Sequence, residues 1–173
     1  MLIKGIGGLM IVSSSGLIGI LLSNKYVARP KIIRKLRFSL QMLETEIMYG
    51  ATPLPYALYN VGVKSDKPWE AFFKESSDNI LERRYYSMEE AWNNAIDKHL
   101  NNVCLHKHDI ELLRNFGKII GKSDTEDQKK HFKLMYAQLE HHEEIAEAER
   151  KKNERMYRSL GFLLGIAIYI III

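Results

Sequence analysis

The chain has one cysteine, Cys104, in 173 residues. No intrachain disulfide can form, and a single thiol in a helical stretch reads as core filler rather than as a nucleophile. Strand signals are also missing: no period-two alternation runs through the middle of the chain, and no Asn-Gly turn occurs anywhere. Metal-ligand spacing is absent too. The six histidines include no pair at i, i+4 and no Glu-x-x-His, while His106 with His108 and His141 with His142 are spaced so that their side chains diverge on a helix. The stretch Gly117-Lys118-Ile119-Ile120-Gly121-Lys122-Ser123 falls short of a phosphate-binding loop, with three residues between its glycines where four are needed. It follows no strand, and its residues are explained as one helix end followed by the cap of the next. No cofactor is expected.

Charge is missing at both ends. Gly5 to Leu22 and Ser159 to Ile173 carry no charged residue. At a rise of about 1.5 Å per residue the first spans roughly 27 Å, near the ~30 Å hydrocarbon thickness of a bilayer. The second reaches the same length if it starts at Met156 and Arg158 snorkels to the headgroups. Two transmembrane helices are therefore expected. A cleaved signal peptide is disfavoured at the N-terminus, because no small-x-small site follows the apolar run and a basic cluster does.

Basic residues flank both apolar segments on their inner sides. Lys25, Arg29, Lys31, Arg34, Lys35 and Arg37 follow the first, and Arg150, Lys151, Lys152, Arg155 and Arg158 precede the second, with only Lys4 outside. Retention of positive charge in the cytoplasm then places the central domain in the cytosol and both termini outside. The expected division is residues 1–4 outside, 5–23 and 159–173 as membrane helices, and 24–158 as the cytosolic domain. The net charge of +4 and pI near 9.0 would ordinarily suggest a nucleic-acid partner. Between Gln41 and Ala148, however, thirteen Lys or Arg face nineteen Asp or Glu, a balance of −6. The positive charge belongs to the membrane flanks, and no nucleic-acid partner is expected.

The central domain is punctuated as helices throughout. A helix is expected to open at Pro30 and stop at Gly50, with Ile32, Ile33, Leu36, Leu40, Leu43 and Ile47 on one stripe. A short one carries Tyr56 to Val61 and ends at Gly62, and another begins at Pro68, with Trp69, Phe72, Phe73 and Ile80 supplying its apolar face. Ser87 with Glu90 forms a capping box that opens a helix through Leu100. Asp109 to Ile120 forms the next. Ser123 with Glu126 is a second capping box, opening a charged helix that meets no Pro or Gly until Gly161 and is expected to run unbroken into the second span. The fold class is all-α, a six-helix cytosolic bundle flanked by two terminal transmembrane helices. Within the spans, Ser15 and Gly19, with Gly8 one heptad earlier, and Gly161 and Gly165 give small-xxx-small spacings suited to close helix packing.

Two blocks carry a family resemblance. Leu43-Glu44-Thr45-Glu46-Ile47-Met48-Tyr49-Gly50-Ala51-Thr52-Pro53-Leu54-Pro55-Tyr56-Ala57-Leu58 resembles the stage III sporulation protein AB family of endospore-forming bacteria. Asp109, Leu112, Phe116, Gly117, Ile120, Gly121, Ser123, Asp124 and Gln128 resemble that family's second helical signature. The resemblance covers essentially the whole chain and implies kinship with the cytosolic module of the platform proteins of type II secretion and type IV pilus machines. It implies a cytosolic assembly ATPase and other membrane subunits as partners, no catalysis by the chain itself, and a place in the mother-cell membrane facing the forespore. Platform proteins carry two such bundles and this chain one, so self-association is expected. A membrane-tethered enzyme using His or acidic residues, or a regulatory adaptor, is the alternative that composition leaves open.

Overall fold

The computed structural model describes residues 2–120 and 125–172, and all regular structure among them is helical. The order is α1 (Leu2–Met48), α2 (Leu54–Lys64), α3 (Trp69–Leu81), α4 (Met88–His99), α5 (Lys107–Ile120) and α6 (Thr125–Ile172). The chain divides into two compact units. One joins Met1–Pro30 to Glu144–Ile173, and the other is Lys31–Glu143.

The second unit is the six-helix bundle, made by the later part of α1, the four short helices, and the first part of α6. The stripe expected on α1 is its inner face, with Ile33, Leu36, Leu40 and Leu43 buried and Ile32 and Ile47 half-buried at its margins. An aromatic chain runs through the middle: Trp69 and Phe72 of α3 meet edge to face at 5.8 Å, Phe72 meets Trp92 at 4.7 Å, and Phe116 meets Phe132 at 5.2 Å. Such rings supply most of the apolar area a small domain can bury. A buried indole must place its N–H, and both do: Trp69 donates to the Ile32 carbonyl at 3.0 Å and Trp92 to the Leu113 carbonyl at 2.9 Å. Ser87 caps α4 as expected, accepting from the Glu90 amide at 3.2 Å. The Glu90 carboxylate reaches back one residue further than the usual box, to the Tyr86 amide at 3.1 Å. The second capping box, at Ser123 and Glu126, lies outside the described residues.

Two punctuation marks read differently in three dimensions. Pro30 opens no helix; it lies inside α1, which joins the first apolar segment to the first bundle helix. Proline forfeits one helical hydrogen bond and crowds the preceding turn, at a cost of about 3 kcal/mol, and long flanking helical segments carry it through. Gly62 ends nothing either. It is buried within α2, where an added Cβ would sit 2.8 Å from Lys74 Cγ and 3.0 Å from the Lys74 amide nitrogen, so the glycine serves the close approach of α3. The last helix is unbroken from Thr125 to Ile172, as expected.

Candidate protein-interaction site

The first signature block builds the turn between α1 and α2. Gly50 and Tyr49 donate their amides to the Thr45 carbonyl at 3.1 and 3.0 Å, and Thr52 donates its amide to the Glu46 carbonyl at 3.0 Å. The path is tight. A Cβ at Gly50 would lie 2.7 Å from the Glu46 carbonyl oxygen, and Ala51 takes φ of 48°, in the left-handed region. Pro53 then caps α2 and Pro55 occupies its first turn, where the missing N–H has no helical partner to lose.

Glu46 fastens the turn from the side. Its carboxylate accepts from Thr52 Oγ1 at 3.1 Å, Asn60 Nδ2 at 3.2 Å and Lys64 Nζ at 3.1 Å. The hydrogen bond from Lys64, then that from Asn60, hold its pKa below the ordinary carboxylate value, against partial burial that pushes the other way. Thr45 turns its hydroxyl back to the Gln41 carbonyl at 2.9 Å, and Ile47 is half-buried. Leu54 opens α2.

What the turn leaves outside is aromatic. Tyr49 is 81% exposed, and Phe38, Tyr56, Tyr59 and Val63 are also exposed. An open groove of about 380 Å³ is lined by Phe38, Gln41, Met42, Thr45, Glu46 and Lys64. Phe38, Gln41, Met42 and Thr45 recur at helical spacing along one side of α1, and Tyr49 follows in the turn just past its end. Large apolar side chains held outward on a rigid frame, beside one neutralised ion pair, suit docking of another protein. Phe38 and Lys64 were not legible as site residues, since Lys64 reaches Glu46 only because α2 folds back on α1.

The second signature has a packing role. A Cβ at Gly117 would meet the Trp92 ring at 2.3 Å, so only glycine admits the indole there. Gln128 of α6 donates to the Ile120 carbonyl at the end of α5 at 3.2 Å. Gly121, Ser123 and Asp124 lie outside the described residues. Asp109, 4% exposed, accepts from the His106 amide at 2.8 Å at the start of α5 and sits 2.7 Å from His142 Nδ1 of α6. Among the described residues no three His, Cys, Asp or Glu side chains are placed to hold a metal ion.

The small residues of the apolar segments meet one another within the first unit. Ser15 Oγ donates to the Gly161 carbonyl at 2.6 Å. A Cβ at Gly161 would lie 2.9 Å from Gly19 Cα, and one at Gly165 would lie 2.8 Å from Val12 Cα. Gly8 belongs to α1, but its surroundings lie outside the described residues. Tyr26 and Tyr157 stack at 5.7 Å beyond these contacts. Leu17, Ile18, Leu21, Phe162, Leu163 and Ile170 are exposed on the outside, together with the small polar Ser13 and Ser14.

The flanking basic residues divide. Arg29, 7% exposed, pairs with Glu149 at 2.6 Å; Arg34 and Arg37 reach Glu143 at 2.6 and 3.5 Å, and Lys35 reaches Asp66 at 2.8 Å. Lys25 lies over the Tyr26 ring at 5.1 Å. Arg150 and Arg158 share Glu154, whereas Lys31, Lys151, Lys152 and Arg155 are exposed and carry no ion pair among the described residues.

Comparison with known proteins points to one family. The family model for stage III sporulation protein AB matches residues 4–173. Stage III sporulation protein AB of Bacillus subtilis (strain 168) is 36% identical over 171 residues, covering 99% of each chain. A solved structure of stage III sporulation protein AB superposes with a TM-score of 0.65 at 37% identity, over 71% of this chain and 96% of that one. This chain belongs to the stage III sporulation protein AB family and is a sporulation protein.

Proposed function

We propose that the protein is a non-catalytic platform subunit of a transmembrane secretion complex between mother cell and forespore, coupling a cytosolic assembly ATPase to membrane components. Its bundle is cytosolic, and its two apolar segments both cross the mother-cell membrane. Among the described residues α1 is long and apolar enough to do so. For the second segment the support is its outward-facing Phe162, Leu163, Leu164 and Ile170, a pattern suited to lipid on the outside and small residues on the inside. Self-association supplies the second bundle that related platforms carry in one chain.

The observation that carries this reading is the exposed aromatic surface at the α1–α2 turn. Glu46, Thr52, Asn60 and Lys64 brace the turn that carries Tyr49, and the grouping of exposed Phe38, Tyr49, Tyr56, Tyr59 and Val63 on α1, the turn and α2, rather than any one ring, is what suits a protein partner. Tyr49→Ser tests it. Full-length protein carrying the substitution should reach wild-type levels in the membrane fraction but capture much less of the ATPase on mild-detergent purification, with fewer spores formed. Undiminished capture would remove the turn from the coupling role.

A further inference from the structure

We infer that one face of α6, just before its apolar end, is a binding site for the phosphate headgroup of an anionic phospholipid; this rests on the membrane-spanning reading above. Arg150, Lys151, Glu154, Arg155, Arg158 and Ser159 line an open groove of about 360 Å³. They fall at i, i+1, i+4, i+5, i+8 and i+9, which places them along one side of the helix over about 13 Å of its length. Four cations face one carboxylate within the groove.

That carboxylate sets the geometry. Glu154 is only 20% exposed and holds Arg150 Nη1 at 3.1 Å through one oxygen and Arg158 Nη2 at 2.9 Å through the other. Arg150 also reaches Glu147. The two guanidinium groups are thus fixed along the groove while Lys151 and Arg155, both exposed, keep their charge for an outside partner. A phosphodiester supplies the missing anion and accepts the forked hydrogen bonds that guanidinium donates.

Position selects lipid over other phosphates. The apolar segment begins at the groove's own end, at Ser159, and Phe162 continues on the same side of α6 and is exposed. A ligand that fits both parts has an anionic head joined to an apolar tail. The basic cluster on α1 offers no equal, because Arg29, Arg34, Lys35 and Arg37 are all taken by carboxylates of the chain itself.

The test uses the full chain reconstituted in vesicles of phosphatidylcholine alone or mixed with phosphatidylglycerol, followed by mild extraction and mass spectrometry of the lipid retained. Phosphatidylglycerol should be enriched over its bulk share. The double substitution Lys151→Gln and Arg155→Gln should lose that enrichment, by roughly fivefold for each cation removed, whereas Lys31→Gln should keep it. Insertion without enrichment, or enrichment unchanged in the double variant, overturns the site. Displacement of the lipid by inorganic phosphate at matched concentration would assign the groove to free anions and overturn it equally. Failure to insert into either vesicle would instead overturn the membrane-spanning reading and the site with it.

Discussion

Glu46 shows how a signature residue acts through its neighbours. Its carboxylate takes hydrogen bonds from α2 and from the turn it stabilises, and its pKa is held down chiefly by Lys64 and Asn60. A carboxylate with a lowered folded pKa contributes stability that is present above its ordinary value of 4.5 and is lost as pH falls through the lowered one. Glu46→Gln should therefore lower the thermal midpoint of the full chain in detergent modestly at neutral pH, and the gap to wild type should close as the pH falls below 4.5. Glu75, also held down first by Lys98 and opposed by burial, titrates in the same direction, so acid alone does not isolate Glu46. The difference between variant and parent does. A gap that stayed constant with pH would mean that the carboxylate's charge plays no part in holding the turn.

At the scale of elements, the short helices were legible because their ends are written in single residues: Ser87 as a cap, Pro53 and Pro68 before α2 and α3, and the apolar stripe of α1. Pro30 and Gly62 misled for a shared reason. A proline in the first turn and one inside a continuing helix look alike along the sequence, and a glycine that ends a helix looks like one that admits a neighbouring helix. Tertiary contact separates the cases. The signature block was legible as a family mark, but its chemistry became visible only when α2 brought Asn60 and Lys64 back to Glu46. The small-xxx-small spacing likewise could not say which helix would be met. Ser15, Gly19, Gly161 and Gly165 face one another within the first unit, so they give no open stripe for a neighbouring molecule. Gly161→Leu should force Ser15 and Gly19 away and destabilise the full chain in detergent by about 1–3 kcal/mol, read as a lower thermal midpoint. Gly16→Leu is the control, since nothing lies within 4 Å of its added Cβ. Leu favours insertion at either place, so equal shifts in the two variants would sink the packing argument.

For the whole molecule, the proposed membrane placement gives the flanking basic residues two roles at two times. On the membrane-spanning reading proposed above, insertion is decided while the chain is unfolded, before Arg29 has met Glu149 or Arg34 has met Glu143. All eleven flanking Lys and Arg then count toward retention in the cytoplasm, and acidic residues contribute little. After folding, ion pairs inside the chain occupy Arg29, Arg34, Lys35 and Arg37 of the α1 set and Arg150 and Arg158 of the α6 set, which on that reading leaves Lys151, Lys152 and Arg155 for the membrane surface. Topology and lipid affinity should therefore separate. Replacing Lys151 and Arg155 by Gln removes two of eleven flanking charges and should leave orientation unchanged, while any lipid selectivity falls. Orientation is read with two reporters. One active only outside the cytoplasm should work when fused to either terminus, and one active only in the cytosol should work when inserted between Asn101 and Asn102, an exposed turn between α4 and α5. The double variant should give the wild-type pattern at all three places. Inversion in wild type would refute the cytosolic placement of the bundle, and inversion in the double variant alone would show that the α6 cations set orientation as well as lipid contact, joining the two roles that the folded ion pairs separate.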